Sequence, residues 1–320
     1  MNMNDRLYAI GMQLESKLNI YFDEETYAKL IKDMNDFDVV KRNGEVNKSE
    51  FMNRLIANYS EDFIFRVEAL SKTVRNELYE YGLNDIDTLS IKTVMSLLSK
   101  QDTRSNKSRT YSFRVNRKQI PAFTEILLSI PYDQDISSFL RNMVLSYLSL
   151  PIYKREQIIF KKEYEKLMDA IERKLEISFT YRKYDRSKKH IVSPYSIERS
   201  ENEMRNYLIV ESHNWNKAFI MSLKLYDISD ITILKNEKAH FSDNFNQYFT
   251  LMKKNGIAYN INEYSIKKVR MDEKALNTYK HKYLERPPML EYKDGIASFD
   301  CSESQLEFYF EPFKDHAEII

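Results

Sequence analysis

The stretch "KLNIYFDEETYAKL" (17–30) constrains this chain more than any other, because its hydrophobic period changes halfway. Leu18, Ile20 and Phe22 alternate with Lys17, Asn19 and Tyr21, the pattern of a strand with one buried face. After Asp23 the spacing turns helical, with Tyr27, Leu30, Ile31 and Met34 on one stripe. The same change recurs in "RTYSFRVNRKQIPAFTEILLS" (109–129), where Tyr111, Phe113 and Val115 alternate with Ser112, Arg114 and Asn116. A helical stripe follows there through Ile120, Phe123, Ile126 and Leu127. The next helices match as well: "SEFMNRLIANY" (49–59) aligns with "SSFLRNMVLSY" (137–147), pairing Phe51 with Phe139, Leu55 with Met143, Ile56 with Val144 and Tyr59 with Tyr147. Asn47 and Asp135 stand where the N-caps of these helices are expected. Each unit reads strand, helix, turn, helix. One such strand leaves both its edges open, so the two copies predict an antiparallel pair whose apolar face lies on four helices.

The repeat resembles the two halves of a ribbon–helix–helix dimer fused into one chain. That resemblance implies that the outward face of the ribbon meets nucleic acid, as β-ribbon readers enter a major groove. The residues it places there are Lys17, Asn19 and Tyr21 on one strand and Ser112, Arg114 and Asn116 on the other. Arg109 and Lys118 join them from a basic stretch that runs Lys100, Arg104, Lys107, Arg109, Arg114, Arg117, Lys118 against Asp102 alone. Around the first strand, Asp23, Glu24 and Glu25 oppose such a role. The competing reading makes the strands a packing device and the basic stretch a solvated loop. Between the copies, "EDFIFRVEALSKTVRNELYEYG" and "DIDTLSIKTVMSLLSK" read as two further helices, divided at Gly82 and restarted at Asp85 or Asp87.

Residues 155–175, "REQIIFKKEYEKLMDAIERKL", form a charged amphipathic pattern that predicts one connector helix. Short strands follow: "EISFTYRKY", "KHIVSPYSIE", "RNYLIVES", "KAFIMSLKLYD" and "ITILKN", spaced as in a small, strongly bent antiparallel sheet. In order, "ISFTY" ending at Tyr181, "HIVSPYSI", "NYL" and "LKLYDISDITIL" resemble the successive pieces of the WYL domain, an Sm-like barrel. The resemblance implies a pocket of tyrosines and cations for a nucleotide or nucleic-acid fragment, here Tyr181, His190, Tyr195, Tyr207 and Lys224, with Arg182 in the adjoining basic loop. Tyrosine faces would stack on bases and cations would neutralise phosphate. Asn206 replaces the family's tryptophan, His190 and Lys224 replace arginines, and Asp227 replaces another, so the pocket is less cationic than the family's. The remainder reads as a helix, a strand "YSIKKVRM", a helix "DEKALNTYKHKYLERP" and two closing strands, "GIASFDC" and "QLEFYFEPF", similar to the α/β extension through which WYL proteins self-associate.

Composition limits the chemistry. Glycine is scarce at 5 residues, and no phosphate-cradling loop, metalloprotease or paired-cysteine motif occurs. The five histidines show no metal-ligand spacing, and the single cysteine, Cys301, suits a reducing cytoplasm. No run approaches the roughly 18 apolar residues of a membrane helix. Neither a catalytic constellation nor a cofactor or metal site is expected. A net charge of +1 leaves local clusters to carry any affinity for nucleic acid.

The expected fold class is α+β: a ribbon–helix–helix pseudo-dimer with bridging helices over 1–152, a connector and WYL barrel over 153–236, and an α/β extension over 237–320. That order resembles the accessory WYL proteins of type VI-D CRISPR systems. The resemblance implies a non-catalytic cytoplasmic protein that binds single-stranded RNA, modulates an RNA-guided CRISPR ribonuclease and dimerises through its C-terminal part. The alternative is a ligand-responsive regulator that reads duplex DNA with its ribbon. An enzyme, or a partner that binds only protein, fits the sequence less well.

Overall fold

The computed structural model describes residues 3–79, 86–98, 108–129, 135–183, 186–201, 203–212, 219–259, 266–282 and 286–320. Gly82, Asp85, Lys100, Arg104 and Lys107 therefore lie outside the described residues. The chain is α+β, its sheets antiparallel, and it divides into two compact units, Met1–Lys161 and Lys162–Ile320. Among the described residues, no helix is long and apolar enough to cross a membrane.

In the first unit, β1 (Lys17–Asp23) pairs antiparallel with β2 (Ser108–Arg114) in the register Lys17↔Arg114, Asn19↔Ser112, Tyr21↔Thr110. The inward residues Leu18, Ile20, Phe22, Tyr111, Phe113 and Val115 are all buried, as the alternation predicts. Each strand leads into two helices: α2 (Glu24–Asp36) and α3 (Lys48–Tyr79) after β1, α5 (Ile120–Ser129) and α6 (Ile136–Leu148) after β2. Phe51 and Phe139, Leu55 and Met143, Ile56 and Val144 and Tyr59 and Tyr147 occupy the core beneath. At about 1.5–3 kcal/mol for each large side chain removed from water, this layer offsets much of the ordering cost of the ribbon. Both N-caps form: Asn47 Oδ1 accepts from Glu50 N–H at 3.1 Å, and Asp135 Oδ2 accepts from Ser138 N–H at 3.0 Å.

Up to Glu172, three features depart from the sequence reading. A helix, α1 (Met3–Glu15), precedes β1 and packs against α5. Its pattern is weak because, of the side chains described on it, Leu14 alone is buried. The helix expected over 49–59 runs on without a break to Tyr79, giving α3 a length of about 48 Å, because no glycine or proline interrupts it. The segment after Asp85 becomes α4 (Ile86–Leu98), tied to α3 by an Arg75–Asp87 ion pair at 2.9 Å. The single connector helix is instead α7 (Ile152–Ile159) and α8 (Lys161–Glu172), broken at Phe160, whose ring turns into the first unit against Phe37. Asn58 donates to the Ile158 carbonyl, fastening α7 to α3 within that unit. Deeper still, buried Asp33 accepts from Tyr147 Oη at 3.0 Å and Arg155 Nη1 at 2.5 Å, joining α2, α6 and α7.

The second unit begins with a five-stranded sheet of β3 (Leu175–Lys183), β4 (Arg186–Arg199), β5 (Asn206–Ser212), β6 (Phe219–Lys224) and β7 (Ile228–Lys238). The order is β6-β5-β4-β3-β7. Its outermost strands, β6 and β7, are consecutive and joined only by the turn Leu225–Asp227, so the sheet has to curl back on itself. A register shift between Pro194 and Ser196 supplies a bend in β4. After α9 (Phe245–Asn255), a four-stranded sheet forms in the order β11-β8-β10-β9. Its strands are β8 (Lys267–Met271), β9 (Met289–Lys293), β10 (Ile296–Phe299) and β11 (Ala317–Ile319), with α10 (Glu273–His281) between β8 and β9.

The segment "QLEFYFEPF" is not a strand. It lies in α11 (Glu303–Phe310) and the 3-10 turn that follows. Leu306, Phe308 and Phe310 fit period two, but Leu306, Tyr309, Phe310 and Phe313 fit the helix better, and all four are buried while Phe308 is 55% exposed. Ser302 Oγ caps α11 by accepting from Gln305 N–H at 3.2 Å. The strands missed from sequence are β9 and β11. Asp294 and Gly295, both at positive φ, form the tight hairpin between β9 and β10.

Candidate nucleic-acid interface

The outward face of the ribbon brings together most of the residues expected there. Lys17, Asn19, Tyr21, Arg109, Arg114, Asn116 and Lys118 are exposed and Ser112 is half-buried. Ser112 Oγ donates to Asn19 Oδ1 at 2.5 Å, a polar link between the paired strands. Lys17 and Arg114 are directly opposite, so two cations share one end of the ribbon. Arg109 is engaged elsewhere: its Nη2 lies 2.8 Å from Glu24 Oε1, which takes up its charge.

The second helix of each copy holds the strand of the other. Asn53 Nδ2, on α3, donates to the Arg114 carbonyl at 3.0 Å, and its Oδ1 accepts from Asn116 N–H at 2.8 Å. Its counterpart in the repeat, Arg141 on α6, donates from Nε to the Tyr21 carbonyl at 3.1 Å. Ser49 Oγ accepts from Arg114 N–H at 3.4 Å, and Ser137 Oγ donates to the Asn19 carbonyl at 3.2 Å. The N-terminal ends of α3 and α6 are thereby set at the ribbon. Neither Asn53 nor Arg141 was picked out from sequence. The available signal was a polar residue at one matched position of two otherwise apolar faces.

The residues expected in the pocket of the second unit have three sets of contacts. On β3 and β4, His190 stacks on Phe179 at 5.7 Å and meets the edge of Tyr181 at 6.2 Å, while Arg182 is exposed. Burial, and then the nearby Lys188 cation, hold the His190 imidazole below its usual value and favour the neutral ring. On β5 and β6, Tyr207 pairs in register with Lys224. Tyr207 is only 2% exposed; its hydroxyl donates to Glu203 at 2.8 Å, and Lys224 Nζ lies 3.1 Å from the same carboxylate. Tyr226 and Arg205 belong to this cluster: Lys224 and Arg205 each lie 5.9 Å from the Tyr226 ring. Tyr195 packs its ring among Phe241, Phe245 and Phe249 beside α9. Sequence reasoning missed Glu203, Arg205 and Tyr226, although Tyr226 stands two residues from Lys224.

Among the described residues, no three His, Cys, Asp or Glu side chains are grouped as metal ligands. Cys301 is buried, and burial together with Asp300 pushes its thiol up to about 12, far from a reactive thiolate.

The chain superposes on a solved structure described as that of a CRISPR Cas-related protein, with a TM-score of 0.62 over 95% of this chain and 89% of that one. The two are 18% identical, so the likeness is one of fold. A second solved structure, proteasome accessory factor B/C of Arthrobacter aurescens, aligns with 91% of this chain and 51% of its own at 10% identity. Its TM-score of 0.30 carries no argument. No family model matches the chain, and no curated protein matches it by sequence.

Proposed function

We propose that this protein is a non-catalytic nucleic-acid-binding accessory factor whose ribbon and four helices are a fused ribbon–helix–helix pair. In this reading the curled five-stranded sheet is an Sm-like WYL barrel, and the ligand is single-stranded RNA. The observation that carries the reading is the Lys17–Arg114 pair on an exposed ribbon face. Like charges directly opposite on adjacent strands repel, and a phosphate laid between them removes that cost. Arg117 and Lys118, exposed just beyond, extend the positive surface.

The description of the superposed structure as CRISPR Cas-related supports an RNA-guided CRISPR effector as the partner whose activity the protein modulates. Leu290 and Tyr292 on β9, an edge strand of the last sheet, are exposed and support self-association there into a homodimer. The duplex alternative draws on the same cations but needs them at both ends of the ribbon.

The test is binding of labelled single-stranded RNA by the Lys17→Ala/Arg114→Ala variant. Loss of two phosphate contacts should weaken binding at least tenfold at physiological salt and flatten its salt dependence. Affinity equal to wild type would contradict the reading.

A further inference from the structure

The ribbon face also carries a direction, an inference that rests on the nucleic-acid reading above. In the strand repeat Lys17 corresponds to Thr110, Asn19 to Ser112 and Tyr21 to Arg114. The register places Asn19 opposite Ser112 at the centre, Lys17 with Arg114 on one side and Tyr21 with Thr110 on the other. A ribbon of two identical strands shows the same pair on both sides, which suits a twofold-symmetric duplex site. Here the two sides differ in chemistry: two cations on one, and on the other an aromatic ring, 53% exposed, beside a threonine hydroxyl.

The surroundings sharpen the difference. Among the described residues neither Lys17 nor Arg114 has an ion-pair partner, and Arg117 and Lys118 lie exposed beyond them. On the Tyr21 side, Glu24 holds Arg109, Glu25 holds Lys29 and Asp23 caps α2, while Arg141 donates to the Tyr21 carbonyl, so described carboxylates accompany most of the described cations there. A phosphate backbone is favoured on the first side and opposed on the second. An exposed tyrosine ring offers a face on which any unpaired base can stack, whereas bases in a duplex present only their edges.

We propose that the ribbon binds one single strand in a fixed orientation, with a phosphate at Lys17–Arg114 and an unpaired base stacked on Tyr21. The four residue steps from Lys17 to Tyr21 span about 13 Å, a few nucleotides of extended strand. The target is then an asymmetric single strand and not a palindromic duplex.

The experiment uses the full chain and a short single-stranded RNA carrying one fluorescent adenine analogue, moved along the strand in a series of probes. In the wild type, quenching should be confined to one position. Tyr21→Ala should abolish that quenching and weaken binding roughly tenfold while leaving the salt slope unchanged, and Tyr21→Phe should retain both. Arg114→Ala should lower the salt slope by nearly one and leave quenching intact at saturation. Because Tyr21 is exposed, these variants should keep the wild-type circular dichroism. Wild-type affinity in Tyr21→Ala, or preference for a palindromic duplex weakened alike by Tyr21→Ala and Arg114→Ala, would overturn the inference while leaving the nucleic-acid reading standing. Failure of the wild type to bind any probe would remove that reading and this inference with it.

Discussion

His190 stands at a position where sequence resemblance expects a cation, yet its ring lies flat on Phe179 with Nδ1 buried and without a hydrogen-bond partner. Its folded-state pKa is lowered from 6.5 by burial and by Lys188, so the folded protein binds this proton less readily than the unfolded chain. The contribution to stability is therefore fully present above pH 6.5 and is lost as pH falls from 6.5 through the lowered folded value. Urea unfolding on either side of that window should show wild type losing stability on the acid side. His190→Phe, which keeps the stack and cannot charge, should lose less, and equal losses in the two proteins would sink the assignment. A histidine where the resemblance expects an arginine was visible in the sequence; its neutrality was not, because neutrality comes from the strand register that sets Phe179 opposite it. Asp33 is a similar case. An acid in phase with Leu30 and Met34 was readable as odd, but its partner Arg155 lies too far along the chain to be inferred.

At the scale of elements, period was a reliable guide wherever burial on one face was complete. The β1–β2 ribbon, with six inward residues and no exception, was legible down to its register of faces. Where the pattern was shared between periods, as in Leu306–Phe313, the strand reading failed, because alternation and helical spacing agree over so short a run. The α1 helix escaped for lack of a buried stripe among its described side chains, and the break at Phe160 for lack of a glycine or proline to mark it. Side-chain clasps between elements were beyond reach, and Asn53 is the clearest of them. Removing its amide strands the Arg114 carbonyl and the Asn116 N–H, each costing about 1–3 kcal/mol if left unpaired, though partial solvent access at the ribbon end reduces this. Asn53→Ala should thus lower stability by about 2 kcal/mol in denaturant titration. Arg141→Ala, which gives up one bond to a strand carbonyl at an exposed position, should cost less than half as much. Equal effects would mean that the two clasps are interchangeable.

The whole molecule combines a ribbon completed within one chain with a second unit of two antiparallel sheets. Since the ribbon needs no second chain, its face can lose the twofold symmetry that a homodimeric reader must keep, and the repeat has diverged at the outward positions while conserving the inward ones in character. Affinity in a protein of net charge +1 has to come from such local surfaces, so it should fall with salt by a slope that counts a few phosphates and no more. The most direct test is fluorescence anisotropy of the full chain against labelled single-stranded RNA, single-stranded DNA and random duplex DNA, at low and at physiological salt. The account predicts a preference for single strands, RNA above all, that survives at physiological salt because stacking does not depend on counterions. Equal and steeply salt-dependent binding to all three, or preference for the duplex, would contradict it.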